Sequence, residues 1–201
     1  MALMEDRIRK MIEDHQRWAK SLGRSGQKLV AEDLDFHAAE LPAVELTNAE
    51  IPGADFSGAV LPRADLSGSN LASAQFTGAD LSGAAMVKAM LDYANLSNAR
   101  LEGANLRRAS FVDATLTGAR IEAADLRGAD LSGADLRGAV LARSNFDRAF
   151  FDDTQLCGAD LRGPVGFETL IRCRIDIGSP GKPDVLDGDA ARQWLLDAAR
   201  A

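Results

Sequence analysis

Reading every fifth residue from Phe36 to Leu161 returns Phe, Leu, Ile or Met at 26 positions out of 26, with no insertion to break the frame. The stretch "ADLRGADLSGADLRGA" from Ala124 to Ala139 shows the pattern at its cleanest, with leucines at 126, 131 and 136. An α-helix repeats its faces every 3.6 residues and a strand every 2. Neither period buries residues five apart on one side, so the chain must turn in step with the repeat.

Two residues before each centre, 21 of the 26 positions are Ala, the exceptions being Leu34, Val44, Ser69, Ser144 and Thr154. Two residues after each centre, 12 of 26 are Gly. The small residue and the centre therefore share one face of a short extended segment, and the residue between them, often Asp, Glu or Asn, points outward. The last two residues of each repeat turn the chain. Gly tolerates the φ such corners require, and Asp or Asn bonds neighbouring backbone amides. If each repeat turns by about a right angle, four repeats close a square coil. Successive coils then stack at the ~4.8 Å spacing of paired strands. The predicted fold is an all-β solenoid with an inward core of Leu, Phe and Ala.

Over 34–163 the chain resembles the pentapeptide-repeat proteins, whose pattern is roughly Ala-(Asp/Asn)-(Leu/Phe)-X-X; "GADLSGADLRGA" is close to its ideal form. The resemblance implies a right-handed quadrilateral β-helix with four repeats per coil. Over 26 repeats that makes about 6.5 coils and a rod roughly 31 Å long. Phe36, Phe56 and Phe76, one coil apart, are then expected to stack, and Phe111, Phe146 and Phe151 fall outside that ladder.

A solenoid needs its ends covered. Met4, Ile8, Met11, Ile12, His15, Trp18 and Leu22 form an apolar stripe at helical spacing opposite Arg9, Glu13 and Arg17, and Gly23 marks a stop. The spacing predicts an amphipathic helix over 3–22 whose apolar face, His15 and Trp18 included, covers the first coil. After Leu161 the pattern is lost. Leu170, Ile171, Ile175 and Ile177 are read as one last irregular coil, 178–183 as a loop, and "DAARQWLLDAAR" as a helix capped by Asp187 or Asp189. The expected organisation is a helix and cap at 1–28, a repeat β-helix at 29–163, and an irregular coil with a helical cap at 164–201. The final helix either closes the last coil or packs on a second copy. The resemblance to the family's gyrase-binding members implies dimerisation through such an end, which makes Trp194, Leu195, Ile175 and Ile177 the candidate dimer contacts.

Composition narrows the function. The 201 residues include two His, two Cys and a net charge of −7. The segments 1–35 and 162–201 are balanced, and the imbalance lies in 36–161, which holds 17 acids and 10 bases. That balance argues against direct nucleic-acid binding. The start "MALMEDRIRKM" has no apolar leader core, and no run approaches the ~20 residues of a membrane span. Two cysteines, Cys157 and Cys173, fit free thiols in a reducing cytoplasm. No nucleophile triad, phosphate loop or metal-ligand spacing is present. "GRSGQK" at 23–28 lacks the phosphate-loop spacing, and "FDDTQ" at 151–155 is read as a solvated turn. The chain is expected to have no catalytic residues, metal or cofactor.

Function then falls to the surface. Asp35, Glu40, Glu45, Glu50 and Asp55, followed by Asp65, take the outward slot of N-terminal repeats and circle the rod. Val87, Met90, Tyr93 and Phe150 are outward apolar residues, with Met90 and Phe150 expected on one face, three coils apart. Two readings follow. Family resemblance implies a rod that imitates duplex DNA, binds DNA gyrase or topoisomerase IV and protects against topoisomerase poisons. The other reading is an adaptor or scaffold with an unrelated protein partner.

Overall fold

The computed structural model describes residues 2–170, 172–179 and 181–200, and all their side chains except those of residues 2–5, 168 and 172. Met4 of the expected apolar stripe and Ile171 of the expected last coil lie outside the described side chains.

The five-residue repeat builds a four-sided β-solenoid. Parallel bridges join each outward slot to the slot 20 residues on, from Val30↔Glu50 to Asn145↔Val165. Each coil bonds to the next through its backbone, as in Phe56 N–H to Gln75 C=O at 2.7 Å and Asp55 N–H to Leu34 C=O at 2.8 Å. Each corner closes within the repeat, as in Ala59 N–H to Phe56 C=O at 3.0 Å. The outward Asp or Asn often accepts from the amide two residues on, as Asp55 Oδ1 does from Ser57 at 2.8 Å. These bonds satisfy the backbone at every turn, which lets so short a segment persist.

Every repeat centre from Leu46 to Phe151 is buried. Phe36, Phe56 and Phe76 stack as expected, with ring centroids 4.5 and 4.9 Å apart and planes within 7°. Three polar residues at alanine positions follow one rule. The hydroxyls of Ser69, Ser144 and Thr154 donate to the carbonyls of Leu46, Ile121 and Leu131, each 23 residues back. Buried polar groups are tolerated where such a partner is fixed in place.

Helix α1 spans Ala2–Lys20, two residues short of the expected end. Ile12 and His15 are buried, with Ile8 and Met11 packed on the core. His15 Nδ1 accepts from the Leu29 amide at 2.9 Å, and its ring stacks on Trp18 at 5.4 Å. The helix stops where Gly23, at φ +82, donates to the Trp18 carbonyl. Gly26 brings the chain back against α1, where a Cβ would meet the Asp14 carbonyl oxygen at 2.2 Å.

The far end departs from the 20-residue stride. Strand β1 (Phe150–Gln155) pairs in parallel with β2 (Arg172–Asp176), at offsets of 22 and then 21 residues across a bulge. "FDDTQ" is thus part of a strand, with Phe151 and Thr154 fully buried, and not the solvated turn its polar residues suggest. The extra residues are taken up by a 3₁₀ turn, Phe167–Thr169, whose Phe167 packs against Phe146 and Phe151. Strand β3 (Val185–Asp187) adds antiparallel to β2, and helix α2 (Gly188–Ala198) follows with Asp187 at its N-cap. Ala191 and Leu195 of α2 are fully buried against this sheet.

Candidate functional site

The 20-residue stride sorts the surface into four faces, each named here by the repeat that contributes to it between 89 and 108. Met90 shares its column with Val30, Glu50, Asn70, Ser110, Asp130 and Phe150. The corner residues stack likewise, so that Tyr93 N–H donates to Val112 C=O at 2.9 Å.

Charge is divided unequally among these faces. Between residues 29 and 153 the Met90 face carries eight carboxylates, those of Glu32, Asp33, Glu50, Asp92, Asp113, Asp130, Asp152 and Asp153, and no Lys or Arg of its own. At its edges Lys28 pairs with Glu50, Arg174 pairs with Asp153 at 2.9 Å, and Arg172 stands opposite Phe150 on β2. The Asn95 face has three carboxylates and one arginine. The Arg100 face has five of each sign and the Asn105 face four carboxylates against five cations.

The Arg100 face neutralises itself. Arg120 bonds Glu102 at 2.7 Å and Glu122 at 2.8 Å, while Arg143 reaches Glu122 at 3.1 Å and Arg162 grips Asp160 at 2.6 Å. Burial works against ionisation of Glu102, yet the Arg120 hydrogen bond holds it below the usual carboxylate range. The Arg162 hydrogen bond lowers Asp160 in the same way. Exposed pairs of this kind add little stability but neutralise the charges they engage.

On the Met90 face the acids surround apolar side chains. Met90 is 43% and Tyr93 65% exposed, and Val112 lies half-buried one coil on. Tyr93 sits at φ +61, and the same corner position holds Asp33, Gly53, Ser73, Asp113, Gly133 and Asp153, all left-handed. The Asn95 face uses glycine more often there, at Gly58, Gly78, Gly118, Gly138 and Gly158, with Ala38 and Asn98 at the other two corners. A bulky residue in this region is strained where glycine is not. Side chains are thus kept at a conformational cost at five of seven corners of the acidic face and at two of seven on its neighbour.

The other expected site residues are dispersed. Val87 is half-buried on the adjoining Asn105 face, next to Met90 along the chain. Phe150 shares Met90's column but stands three coils away behind Ser110 and Asp130. Of the acids singled out from the sequence, only Glu50 shares the Met90 face. Glu40 falls on the Arg100 face, Asp55 on the Asn95 face, and Glu45 and Asp65 on the Asn105 face. Glu50 is bonded by Lys28, and Lys20 lies 3.9 Å from Glu45. The remaining acids of the Met90 face were missed because they lie on different coils, spread from Glu32 to Asp153, and only the coil stride aligns them. At the C-terminal end Leu195 and Ile175 are buried within the chain, so they are not available as dimer contacts; Trp194 and Ile177 remain half-buried.

Cys157 and Cys173 are free, and burial pushes the Cys173 thiol up to about 11. Among the described residues no group of His, Cys, Asp and Glu is placed to hold a metal ion, and no helix is long and apolar enough to cross a membrane.

Comparison with known proteins gives one family. The model of pentapeptide repeats matches at residues 53–86, 94–133 and 124–163, in eight copies. Among solved structures, the chain is similar to a pentapeptide repeat protein of the Arabidopsis thaliana thylakoid lumen, at 36% identity over 50% of this chain and TM-score 0.43. That match spans 63% of the Arabidopsis protein, less than two thirds of its length. It is also similar to HetL, a pentapeptide repeat protein involved in heterocyst differentiation regulation from the cyanobacterium Nostoc. There the identity is 28% over 74% of this chain and 79% of that one, with TM-score 0.28. A third is QnrB1, a plasmid-mediated fluoroquinolone resistance protein, at 20% identity over 64% of this chain and 70% of that one, with TM-score 0.38. No curated protein matches the sequence.

Proposed function

This chain belongs to the pentapeptide repeat family, and we propose that it is a non-enzymatic binding rod that docks a protein partner through its Met90 face. In this reading 29–163 form the right-handed β-helical rod of about 6.5 coils. The segments 1–28 and 164–201, with helices α1 and α2, cap its ends. The two free thiols fit the cytoplasm as its compartment.

The observation that carries the reading is the charge asymmetry: eight carboxylates on one face, with only Glu50 and Asp153 held in ion pairs, by the flanking Lys28 and Arg174, set around exposed Met90 and Tyr93. Such a face suits a partner surface that is basic at its rim and offers an apolar contact at its centre. The most specific candidate is an enzyme that grips duplex DNA, DNA gyrase or topoisomerase IV, with the rod standing in for DNA. B-DNA carries one charge per ~1.7 Å, or about 18 over a rod of roughly 31 Å. Eight carboxylates supply under half of that, so Met90 and Tyr93 must contribute to docking as well as charge.

Gyrase supercoiling, titrated with the protein in the presence and absence of a quinolone, tests this. Inhibition or rescue from drug-induced cleavage at about micromolar protein, lost in Tyr93→Ala, is the expected result. If folded protein has no effect, the gyrase assignment fails. Affinity capture with the wild type against a Tyr93→Ala, Asp92→Lys variant then tests the scaffold reading, which fails if the two capture the same set.

A further inference from the structure

We propose that the Asn105 face carries an oxyanion site, a notch over Gly128 that holds the phosphoryl group of a small phosphate-bearing molecule. A hollow of about 440 Å³ lies there, lined by Arg107, Arg108, Arg127, Gly128, Asp147, Arg148 and Phe150. Arg108, Gly128 and Arg148 occupy the same corner position of three successive coils. The glycine between the two arginines is what opens the notch. The Arg108 stem walls one side, with its Cγ 3.4 Å from where a Gly128 Cβ would stand.

The arginines here differ from those elsewhere on the rod. Arg100, Arg120, Arg137, Arg143 and Arg162 each engage a carboxylate. Among the described residues Arg107, Arg108 and Arg148 make no ion pair, while Arg127 is held by both oxygens of Asp125 at 2.8 and 2.6 Å. Asp147, the carboxylate in the lining, takes the Thr169 hydroxyl on its Oδ1 at 2.6 Å. Arg107 also acts on the Asp125 carboxylate, so among the described residues Arg108 and Arg148 are the two guanidinium groups that flank the notch without a carboxylate of their own, on a protein of net charge −7.

Four arginines gathered against two carboxylates, Asp125 and Asp147, repel one another, and the arrangement is favourable once an anion binds between them. Guanidinium forks match phosphate oxygens in pairs, and charge-assisted bonds of this kind are the strong ones. Arg108 and Arg148 are also held at φ +57 and +59, where a glycine would be unstrained. Gly128 interrupts the cationic column, which favours a compact anion at one point over an extended acidic peptide lying along the rod. Phe150 at the rim offers an apolar wall for the rest of the molecule.

Isothermal titration at low ionic strength with inorganic tripolyphosphate tests the site, with hexaglutamate as competitor. Saturable one-to-one binding is expected, weakened by about tenfold or more in Arg108→Gln and in Arg148→Gln. Arg100→Gln, on the neutralised face, should leave it unchanged. Gly128→Asp should abolish it by placing a carboxylate on the floor. That variant keeps the fold, because Asp113 and Asp153 already adopt φ +55 and +58 at the same position of the repeat. The site is refuted by an absence of saturable binding, by equal weakening in Arg100→Gln, or by hexaglutamate outcompeting tripolyphosphate.

Discussion

Leu106 and Tyr93 show how differently an inward and a corner position respond to substitution. Leu106 is fully buried between coils, and its neighbours are fixed by backbone ladders on both sides, so a cavity there cannot collapse. Leu106→Ala should cost about 2–5 kcal/mol, read from urea unfolding. Tyr93, at φ +61 and mostly exposed, holds nothing in the core. Tyr93→Gly should cost no stability, because relief of the left-handed strain of about 1 kcal/mol offsets the freedom glycine gains when unfolded. A clear fall in its Tm would contradict this, while loss of partner docking with Tm intact would separate function from folding. The inward residues were legible in the sequence by their five-residue period. The conformational cost at Tyr93 was not, since no periodicity distinguishes a glycine position from a side chain held where glycine belongs.

At the scale of the element, α1 depends on His15. The ring is buried and Nδ1 accepts the Leu29 amide, so protonating that nitrogen breaks the bond that ties the helix to the first coil. Burial lowers His15 below its ordinary value of 6.5, against a smaller opposing effect of the Thr47 backbone; Glu45 and Lys28 are the charged groups that act on it. A group that stays neutral when folded and charges when unfolded gives stability that is complete above 6.5 and declines as pH falls below it. Protection of the α1 amides, measured relative to their intrinsic exchange rate at each pH, should therefore fall below pH 6.5 while the central coils stay protected. His15→Gln should flatten that dependence. The amphipathic stripe made α1 readable from sequence alone. The far end was harder: α2 was legible as a helix, but whether Leu195 faced this chain or a second copy depended on β2 and β3, which follow no repeat.

Across the whole molecule, the decisive quantity is how charge is shared among four faces. Glu50→Gln, Asp92→Asn and Asp130→Asn remove three charges from the Met90 face. Asparagine preserves the turn bond, as Asn95 Oδ1 accepting from Ser97 already shows. The triple variant should keep its Tm, slow association with a captured partner and weaken its dependence on salt. An unchanged rate at low salt would remove the acidic face from the docking mechanism. Along the chain these acids look scattered, and the N-terminal run from Asp35 to Asp65 looks concentrated. In the coil the reverse holds: that run spreads over all four faces, while Glu50, Asp92 and Asp130 fall into neighbouring columns.

The sequence by itself determined the five-residue corner, the small and large inward residues, the solenoid and the helix at its start. Those features depend on contacts within a repeat or between identical repeats, and period alone specifies them. Only the tertiary structure decided which charges stand together, which arginines are paired and how the last coil closes. The grouping of charges, and pairs such as Arg120 with Glu102 and Arg143 with Glu122, depend on residues about 20 apart meeting across a ~4.8 Å step. The closure depends on an end where the stride lengthens to 22 to take in Phe167.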